Sequence, residues 1–188
     1  MSGRGTLILV VGPSGVGKDS ILAGAADRLR DEPRVVFARR LITRPAEAGG
    51  EDHVAVSPAE FARRRDAGEL LLHWHAHGLD YGLPGELAAA LAAGRGVVAN
   101  VSRGVVADAR QRFAPTLVIA ITASAETLAA RLAGRGRESA DDIGSRLRRS
   151  VAAVAADIVI DNDGALEAAV ERFVGVVRRL TDQAADRT

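Results

Sequence analysis

Apolar residues occur along the chain in two alternating patterns. Short runs rich in Val and Ile are typical of buried strands, and between them lie longer segments in which apolar residues recur at helical spacing. Strands separated by helices predict the α/β fold class, with a mostly parallel sheet covered by helices on both faces. The predicted strands are 6–11, 35–43, 96–102, 116–122 and 157–161, and the predicted helices are 19–30, 58–67, 85–93, 105–113, 125–132, 140–156 and 165–180.

Two segments interrupt this alternation. Residues 44–85 hold few long apolar runs and many glycines, histidines and charged residues, and residues 131–149 are dense in arginine. The chain of 188 residues has room for one core, because a domain typically takes about 100–200 residues. We therefore predict a single domain over 1–188, in which 44–85 is an insertion over the sheet edge and 131–149 is a second attachment.

Composition excludes several classes of protein. The sequence has no cysteine, which rules out disulfides and thiolate metal sites. It also has no apolar run of the ~18 residues that a membrane-spanning helix needs. The net charge of +1 gives no overall attraction to nucleic acid. We expect a cytoplasmic protein, a monomer or a homodimer, that acts on a small molecule and has no nucleic-acid or membrane partner.

The clearest motif is GPSGVGKDS, residues 12–20, which follows the first predicted strand. It fits the phosphate-loop pattern G-x-x-x-x-G-K-[ST], except that an aspartate stands where Ser or Thr is due. A glycine turn between a buried strand and a helix points backbone N–H groups and the helix dipole at phosphate oxygens. The lysine of this motif, the only lysine in the chain, reaches the terminal phosphates. We predict that ATP is bound by Gly12, Pro13, Ser14, Gly15, Val16, Gly17, Lys18, Asp19 and Ser20.

The loop and the segments after it resemble the guanylate kinase family of nucleoside monophosphate kinases over nearly the whole chain. LITRP resembles that family's T-T-R-x-P, HWHAHGLDYG resembles E-W-a-x-x-x-G-x-x-Y-G, and RLAGRGRESADDIGSRL resembles its lid. The resemblance implies a P-loop kinase whose two interrupting segments are an acceptor-binding insertion and an arginine-rich lid. It also implies that Arg44 and Tyr81 hold the acceptor's phosphate, and that Lys18, Arg135 and Arg146 act on the transferring phosphoryl group.

The acceptor half departs from that family's pattern. In guanylate kinases the glutamate of E-W reads the guanine edge and a hydroxyl residue follows Y-G, whereas this chain has His73 and Leu83 at those positions. DHVAVSPAEF resembles D-Y-x-F-V-s-x-x-E-F, with His53 in place of the tyrosine. A site that loses its polar readers loses its discrimination for the base. We therefore expect a phosphorylated acceptor without guanine, and we expect His53 and His73 to bind its sugar hydroxyls or a further phosphate.

With GKDS in the loop, this pattern resembles the ribose 1,5-bisphosphate phosphokinases of bacterial phosphonate breakdown. The resemblance implies a sugar phosphate substrate: ATP phosphorylates ribose 1,5-bisphosphate at its 1-phosphate and gives 5-phospho-α-D-ribose 1-diphosphate (PRPP) and ADP. Two alternatives stay open, a guanylate kinase with unusual base contacts and a non-catalytic guanylate-kinase-like binding module. The intact loop and the lid arginines argue against the binding module.

Two further positions carry hypotheses. Guanylate kinases end the third strand with D-x-D, and here Asn100 and Ser102 stand in that place. We hypothesise that the carboxylate that organises Mg²⁺ has moved to Asp19 in the loop, where it binds the ion directly or through water, and that Ser20 is the candidate for a hydroxyl ligand. Asn162, after the last predicted strand, stands where the family contacts adenine, although the sequence D-N-D-G is also typical of a turn.

Overall fold

The computed structural model describes residues 5–46, 51–133 and 155–185. Within these ranges the strands are β1 (Leu7–Val11), β2 (Val35–Phe37), β3 (Leu41–Ile42), β4 (Val54–Ala55), β5 (Leu70–Ala76), β6 (Leu79–Pro84), β7 (Gly96–Asn100), β8 (Thr116–Thr122) and β9 (Ile158–Asp161). The α-helices are α1 (Lys18–Arg28), α2 (Pro58–Asp66), α3 (Leu87–Ala92), α4 (Val106–Arg112), α5 (Ala125–Ala133) and α6 (Leu166–Ala185).

Five strands form a parallel sheet in the order β2-β7-β1-β8-β9. The central strand β1 is at most 2% exposed at every position, which explains why its sequence LILVV contains no polar residue. Ile8 and Val10 pack with α1 and α6 on one face, and Leu7 and Leu9 pack with β5, β6, α3 and α4 on the other. The predicted α/β fold with a mostly parallel sheet is confirmed.

The insertion and the preceding strand β3 form a second sheet in the order β4-β3-β6-β5. Strand β6 pairs antiparallel with β3 and β5, and β3 pairs in parallel with β4. On one face, Leu41 and Leu70 form a small core with Phe61 of α2. On the other face, Leu72 and Leu83 join the core beneath the parallel sheet. The face of the second sheet that carries Leu72 and Leu83 therefore packs against the parallel sheet, whose strand β1 leads into the phosphate loop.

The prediction of one strand over 35–43 is wrong, because the chain divides there between the two sheets. Strand β2 pairs with β7 in the parallel sheet, whereas β3 pairs with β4 and β6 in the second sheet. Arg39 and Arg40 lie between the two strands, and they are the polar residues that interrupt the apolar pattern of VVFARRLIT. A local pattern of this kind does not show that the two halves of a β-rich segment pair with different partners.

Six of the seven predicted helices correspond to α1–α6 and differ from them only at their ends. The helix predicted over 140–156 lies outside the described residues except for its last two, which are not helical. Among the helices that the structure describes, none combines the length and the apolar character needed to cross a membrane.

Candidate active site

The phosphate loop joins the carboxyl end of β1 to the first turn of α1. Gly17 immediately precedes α1 with a φ of 91°, in the left-handed region where glycine is favoured. Gly12 packs so closely against β8 that a Cβ there would lie 2.5 Å from the carbonyl oxygen of Ile121. The geometry therefore requires both glycines, and it places the loop's N–H groups at the N-terminus of α1, where anions are stabilised.

Lys18 is the first residue of α1 and turns back over the loop. Its ammonium donates hydrogen bonds to the carbonyl oxygens of Gly12 at 2.8 Å and Pro13 at 2.9 Å. Burial lowers the pKa of Lys18 to about 8; the guanidinium groups of Arg40 and Arg103 act in the same direction, and neighbouring carboxylates oppose it. A polyanion bound in the loop would therefore stabilise the charged form of Lys18.

Asn162 directly follows β9, and its side chain contacts the backbone of the phosphate loop. Its side chain is 2% exposed, and its Nδ2 donates to the carbonyl oxygen of Val16 at 2.8 Å. A Cβ on Gly17 would lie 2.6 Å from this Nδ2. Arg131 of α5 donates to the backbone oxygens of Asn162 at 2.9 Å and Val16 at 3.4 Å. The Oδ1 of Asn162 is buried without a hydrogen-bond partner among the described residues, and such an atom fits an N–H group of a ligand.

Asp19 lies exposed in the first turn of α1 and is oriented by the neighbouring strand β7. The Nδ2 of Asn100, the last residue of β7, donates to Asp19 Oδ1 at 2.9 Å. Asn100 is itself buried, so this contact fixes the direction of the carboxylate. Ser20 follows on the exposed surface of α1. Carboxylate and hydroxyl oxygens at this end of the loop are the kind of ligand that Mg²⁺ prefers.

Arg44 and His53 lie together in the segment that joins β3 to β4. In the buried ring of His53, Nε2 is 3.1 Å from the carbonyl oxygen of Arg44 and Nδ1 is 3.0 Å from that of Glu51. A guanidinium nitrogen of Arg44 lies 3.5 Å from Nδ1. The Nε of Arg44 is buried without a partner among the described residues. His53 thus fixes the backbone that carries Arg44, and the Nε of Arg44 is a donor of the kind that suits an anionic ligand.

Tyr81 on β6 pairs with Trp74 on β5, and the two rings stack with their centroids 5.5 Å apart. Leu72 and Leu83 form another cross-strand pair on the same face, and both are fully buried. His73 lies between Leu72 and Trp74 on β5, and because side chains alternate along a strand, its exposed side chain lies on the opposite face of the hairpin. The structure therefore does not bring His73 to the face that carries Tyr81.

Comparisons with known proteins show the family of the chain. The guanylate kinase family model matches residues 4–179. The ribose 1,5-bisphosphate phosphokinase PhnN of Acidiphilium cryptum is 52% identical over 97% of each chain. That of Rhodopseudomonas palustris is 51% identical over 86% of this chain and 82% of the relative. The chain belongs to the ribose 1,5-bisphosphate phosphokinases of the guanylate kinase family. The resemblance stated from the motifs is confirmed.

A solved structure extends the likeness to the fold of this phosphokinase. A guanylate kinase from Anaplasma phagocytophilum superposes with a TM-score of 0.69 over 95% of this chain and 87% of that one. The two sequences are 23% identical, so this likeness concerns the fold alone.

The register of the β5–β6 hairpin explains why motif matching placed His73 at the base-reading position. The motif E-W-a-x-x-x-G-x-x-Y-G has one residue more between its Trp and its Tyr than HWHAHGLDYG has in this phosphokinase. Side chains alternate between the two faces of a strand. Shortening the hairpin by one residue therefore shifts the pairing of its two strands by one position, and the residue before the Trp moves to the other face. Leu72 consequently lies across from Leu83, and the spacing of the motif was the signal that could have shown it.

Sequence reasoning missed a buried ion pair in this phosphokinase. Arg40, just before β3, donates through Nε at 2.8 Å and through Nη2 to the two carboxylate oxygens of Glu51, and through Nη1 to the backbone oxygen of Asn100 at 3.2 Å. The two side chains are only 10% and 16% exposed. The guanidinium lies 5.1 Å from the ring centroid of Tyr81 and 5.8 Å from that of Trp74. Nothing in the local sequence distinguishes Arg40 from its exposed neighbour.

The lid arginines Arg135 and Arg146 lie outside the described residues. Arg131, where the predicted lid begins, is described, and it contacts the backbone behind the phosphate loop. The roles predicted for Arg135 and Arg146 stay predictions.

Proposed function

We propose that the chain transfers the γ-phosphoryl group of ATP to an oxygen of the 1-phosphate of ribose 1,5-bisphosphate. The bond from the γ-phosphorus to its bridging oxygen breaks and ADP leaves, while the new P–O bond forms the diphosphate of PRPP. No covalent intermediate with the protein is needed, so the residues contribute positioning and charge neutralisation. The relatives that carry the name of this activity, at 52% and 51% identity, support this acceptor over GMP.

The observation that carries the proposal is the chemistry of the acceptor face. Arg44 offers a buried, unpartnered Nε and Tyr81 a phenol, which suits an acceptor held by its phosphate. The cross-strand pair beside them is Leu72 and Leu83, whose side chains are fully buried in the core beneath the parallel sheet and so present no polar group at this face. A site that reads guanine needs polar groups for the edge of the base, and these two side chains have none. The face therefore fits a phosphorylated sugar without a base.

On the donor side, the proposal assigns the phosphates of ATP to the N–H groups of residues 12–17 and to Lys18. The buried Oδ1 of Asn162 is suited to accept a hydrogen bond from the amino group of adenine. Asp19 and Ser20 would hold Mg²⁺, whose chemistry is to neutralise charge on the phosphates. Asn100 contributes by fixing the direction of the Asp19 carboxylate.

Arg135 and Arg146 would contact the transferring phosphoryl group when the lid closes, which excludes water and so prevents hydrolysis of ATP. His53 acts through the backbone of Arg44, which it fixes. We place the enzyme in the cytoplasm, as a monomer or a homodimer with a single domain over 1–188.

A coupled ADP-release assay with ATP and Mg²⁺ tests the proposal, with ribose 1,5-bisphosphate or GMP as acceptor and the product identified by phosphorus NMR. We expect the signals of a diphosphate from the ribose substrate and no product from GMP. Lys18→Met should abolish turnover, whereas Arg178→Met, an exposed position on α6, should not. Turnover of GMP alone would refute the proposed acceptor.

A further inference from the structure

The Arg40–Glu51 pair lies between the two halves of the site. Arg40 stands two residues before Ile42, which pairs with Tyr81, so alternation places Arg40 on the Tyr81 face of the second sheet. From there its Nη1 reaches the backbone oxygen of Asn100 at the end of β7. The side chain of Asn100 contacts Asp19 in turn. The guanidinium therefore spans the space between the acceptor sheet and the phosphate loop.

The aromatic surface of the acceptor sheet is already occupied by this cation. The planar guanidinium lies over the rings of both Tyr81 and Trp74, and arginine stacks well on aromatic faces. Stacking on aromatic side chains is one way in which proteins bind bases, and these two rings are the aromatic surface on which a purine attached to the acceptor would stack. Arg40 is 8% exposed, and while its guanidinium lies over these rings a second planar group cannot take the same place.

Glu51 holds Arg40 in this position. Both of its carboxylate oxygens accept hydrogen bonds from the guanidinium, and a two-pronged contact of this kind fixes the direction of the plane. A buried ion pair adds little net stability, since apolar residues of similar volume often replace it without loss. The position of this pair beside the acceptor face therefore points to a role other than folding.

We propose that Arg40, held by Glu51, is the specificity-determining residue of the acceptor site: it fills the space over Tyr81 and Trp74 and so excludes acceptors that carry a nucleobase. This inference rests on the proposed function, in which the acceptor is a sugar phosphate without a base. It adds a steric cause to the loss of polar base readers at Leu72 and Leu83. Exclusion by volume acts on every purine alike, whereas the loss of polar readers concerns guanine.

The test measures binding of AMP, GMP and ribose 5-phosphate by calorimetry, with the donor site of the full chain filled by MgADP. Arg40→Ala combined with Glu51→Ala empties the space without leaving a buried charge unpaired, and Arg40→Leu combined with Glu51→Leu removes the charges but keeps much of the volume. Arg39→Ala with Asp52→Ala is the matched control, because this neighbouring ion pair is 57% and 81% exposed. Arg40→Ser with Glu51→Gln replaces the alanine pair if circular dichroism shows that the latter is unfolded.

We expect the emptied variant to bind AMP and GMP at least about tenfold more tightly than the unmodified protein, the gain that stacking of a base on an aromatic ring supplies. The leucine pair and the control should bind both nucleotides as the unmodified protein does. The proposal is overturned if the folded emptied variant binds AMP and GMP no more tightly than the unmodified protein. It is also overturned if the leucine pair gains as much affinity for them as the emptied variant. Failure of the proposed function would show separately, as absence of turnover with ribose 1,5-bisphosphate in the unmodified protein.

Discussion

The contact between Gly17 and Asn162 can be tested by adding a single methyl group. In Gly17→Ala the new Cβ would lie 2.6 Å from Asn162 Nδ2, closer than two such atoms can approach. Asn162 would have to move, and its 2.8 Å hydrogen bond to the Val16 carbonyl would be lost. Breaking a bond between buried polar groups costs about 1–3 kcal/mol. A left-handed backbone with a Cβ costs roughly a further 1–2 kcal/mol.

A second glycine separates these two contributions. Gly78, in the turn between β5 and β6, has a φ of 73° and no atom within 4 Å of an added Cβ. Gly78→Ala therefore carries only the backbone cost, about 1–2 kcal/mol. We expect Gly17→Ala to lower the free energy of unfolding in urea by about 2–5 kcal/mol, the sum of both contributions. We also expect it to weaken ATP binding in calorimetry, which Gly78→Ala should leave unchanged.

A double-mutant cycle with Asn162→Ala completes this test, because it removes the group that the new methyl meets. In the Asn162→Ala background, the cost of Gly17→Ala should fall to that of Gly78→Ala. Equal costs of Gly17→Ala and Gly78→Ala in the unmodified background would contradict a steric contact between Gly17 and Asn162, and so would a cost of Gly17→Ala that Asn162→Ala leaves unchanged.

Three further predictions concern the two halves of the site. Because burial lowers the pKa of Lys18 to about 8 and bound phosphates favour its charged form, ATP binding should take up about 0.5 proton at pH 8 and weaken as the pH rises above 8. Calorimetry in two buffers of different ionisation enthalpy measures the uptake, and its absence at pH 8 would contradict the assignment. Arg44→Ala should raise the KM for the acceptor roughly 10- to 100-fold, the loss expected for a charged hydrogen bond, while the KM for ATP stays constant in steady-state kinetics; equal rises in both would contradict a role in acceptor binding. Asn100→Ala frees the Asp19 carboxylate and should weaken Mn²⁺ binding measured by electron paramagnetic resonance in the presence of ATP, and unchanged Mn²⁺ affinity would exclude that positioning role.

Features that depend on nearby residues could be predicted from the sequence. The glycine loop follows a buried strand and precedes a helix, as its pattern indicates. The helix predicted to begin after Ser57 does so, and Ser57 Oγ accepts the N–H of Glu60 at 3.1 Å. In both cases the residues that form the structure lie within a few positions of one another, so the local pattern contains the interaction.

Features that depend on pairing between distant segments could not be predicted. The division of 35–43 between two sheets is decided by β7 and β6, which come much later in the chain. Arg40 meets Glu51 only because β3 turns back through the segment before β4. The side of the hairpin on which His73 lies depends on one residue of loop length. In each case the deciding contact is absent from the local sequence.

The two halves of the site meet at the end of β7, and the chemistry of Asn100 shows how one position serves both. Its side chain donates to Asp19 on the donor side, and its backbone oxygen accepts from Arg40 on the acceptor side. A substitution at this position changes the first contact and keeps the second, because every residue supplies a backbone carbonyl. The donor contact is thus encoded by the identity of one side chain, whereas the acceptor contact is encoded by the path of the strand. Base exclusion by Arg40 can therefore persist while the groups around the proposed Mg²⁺ ligands change, provided that β7 ends at the same place.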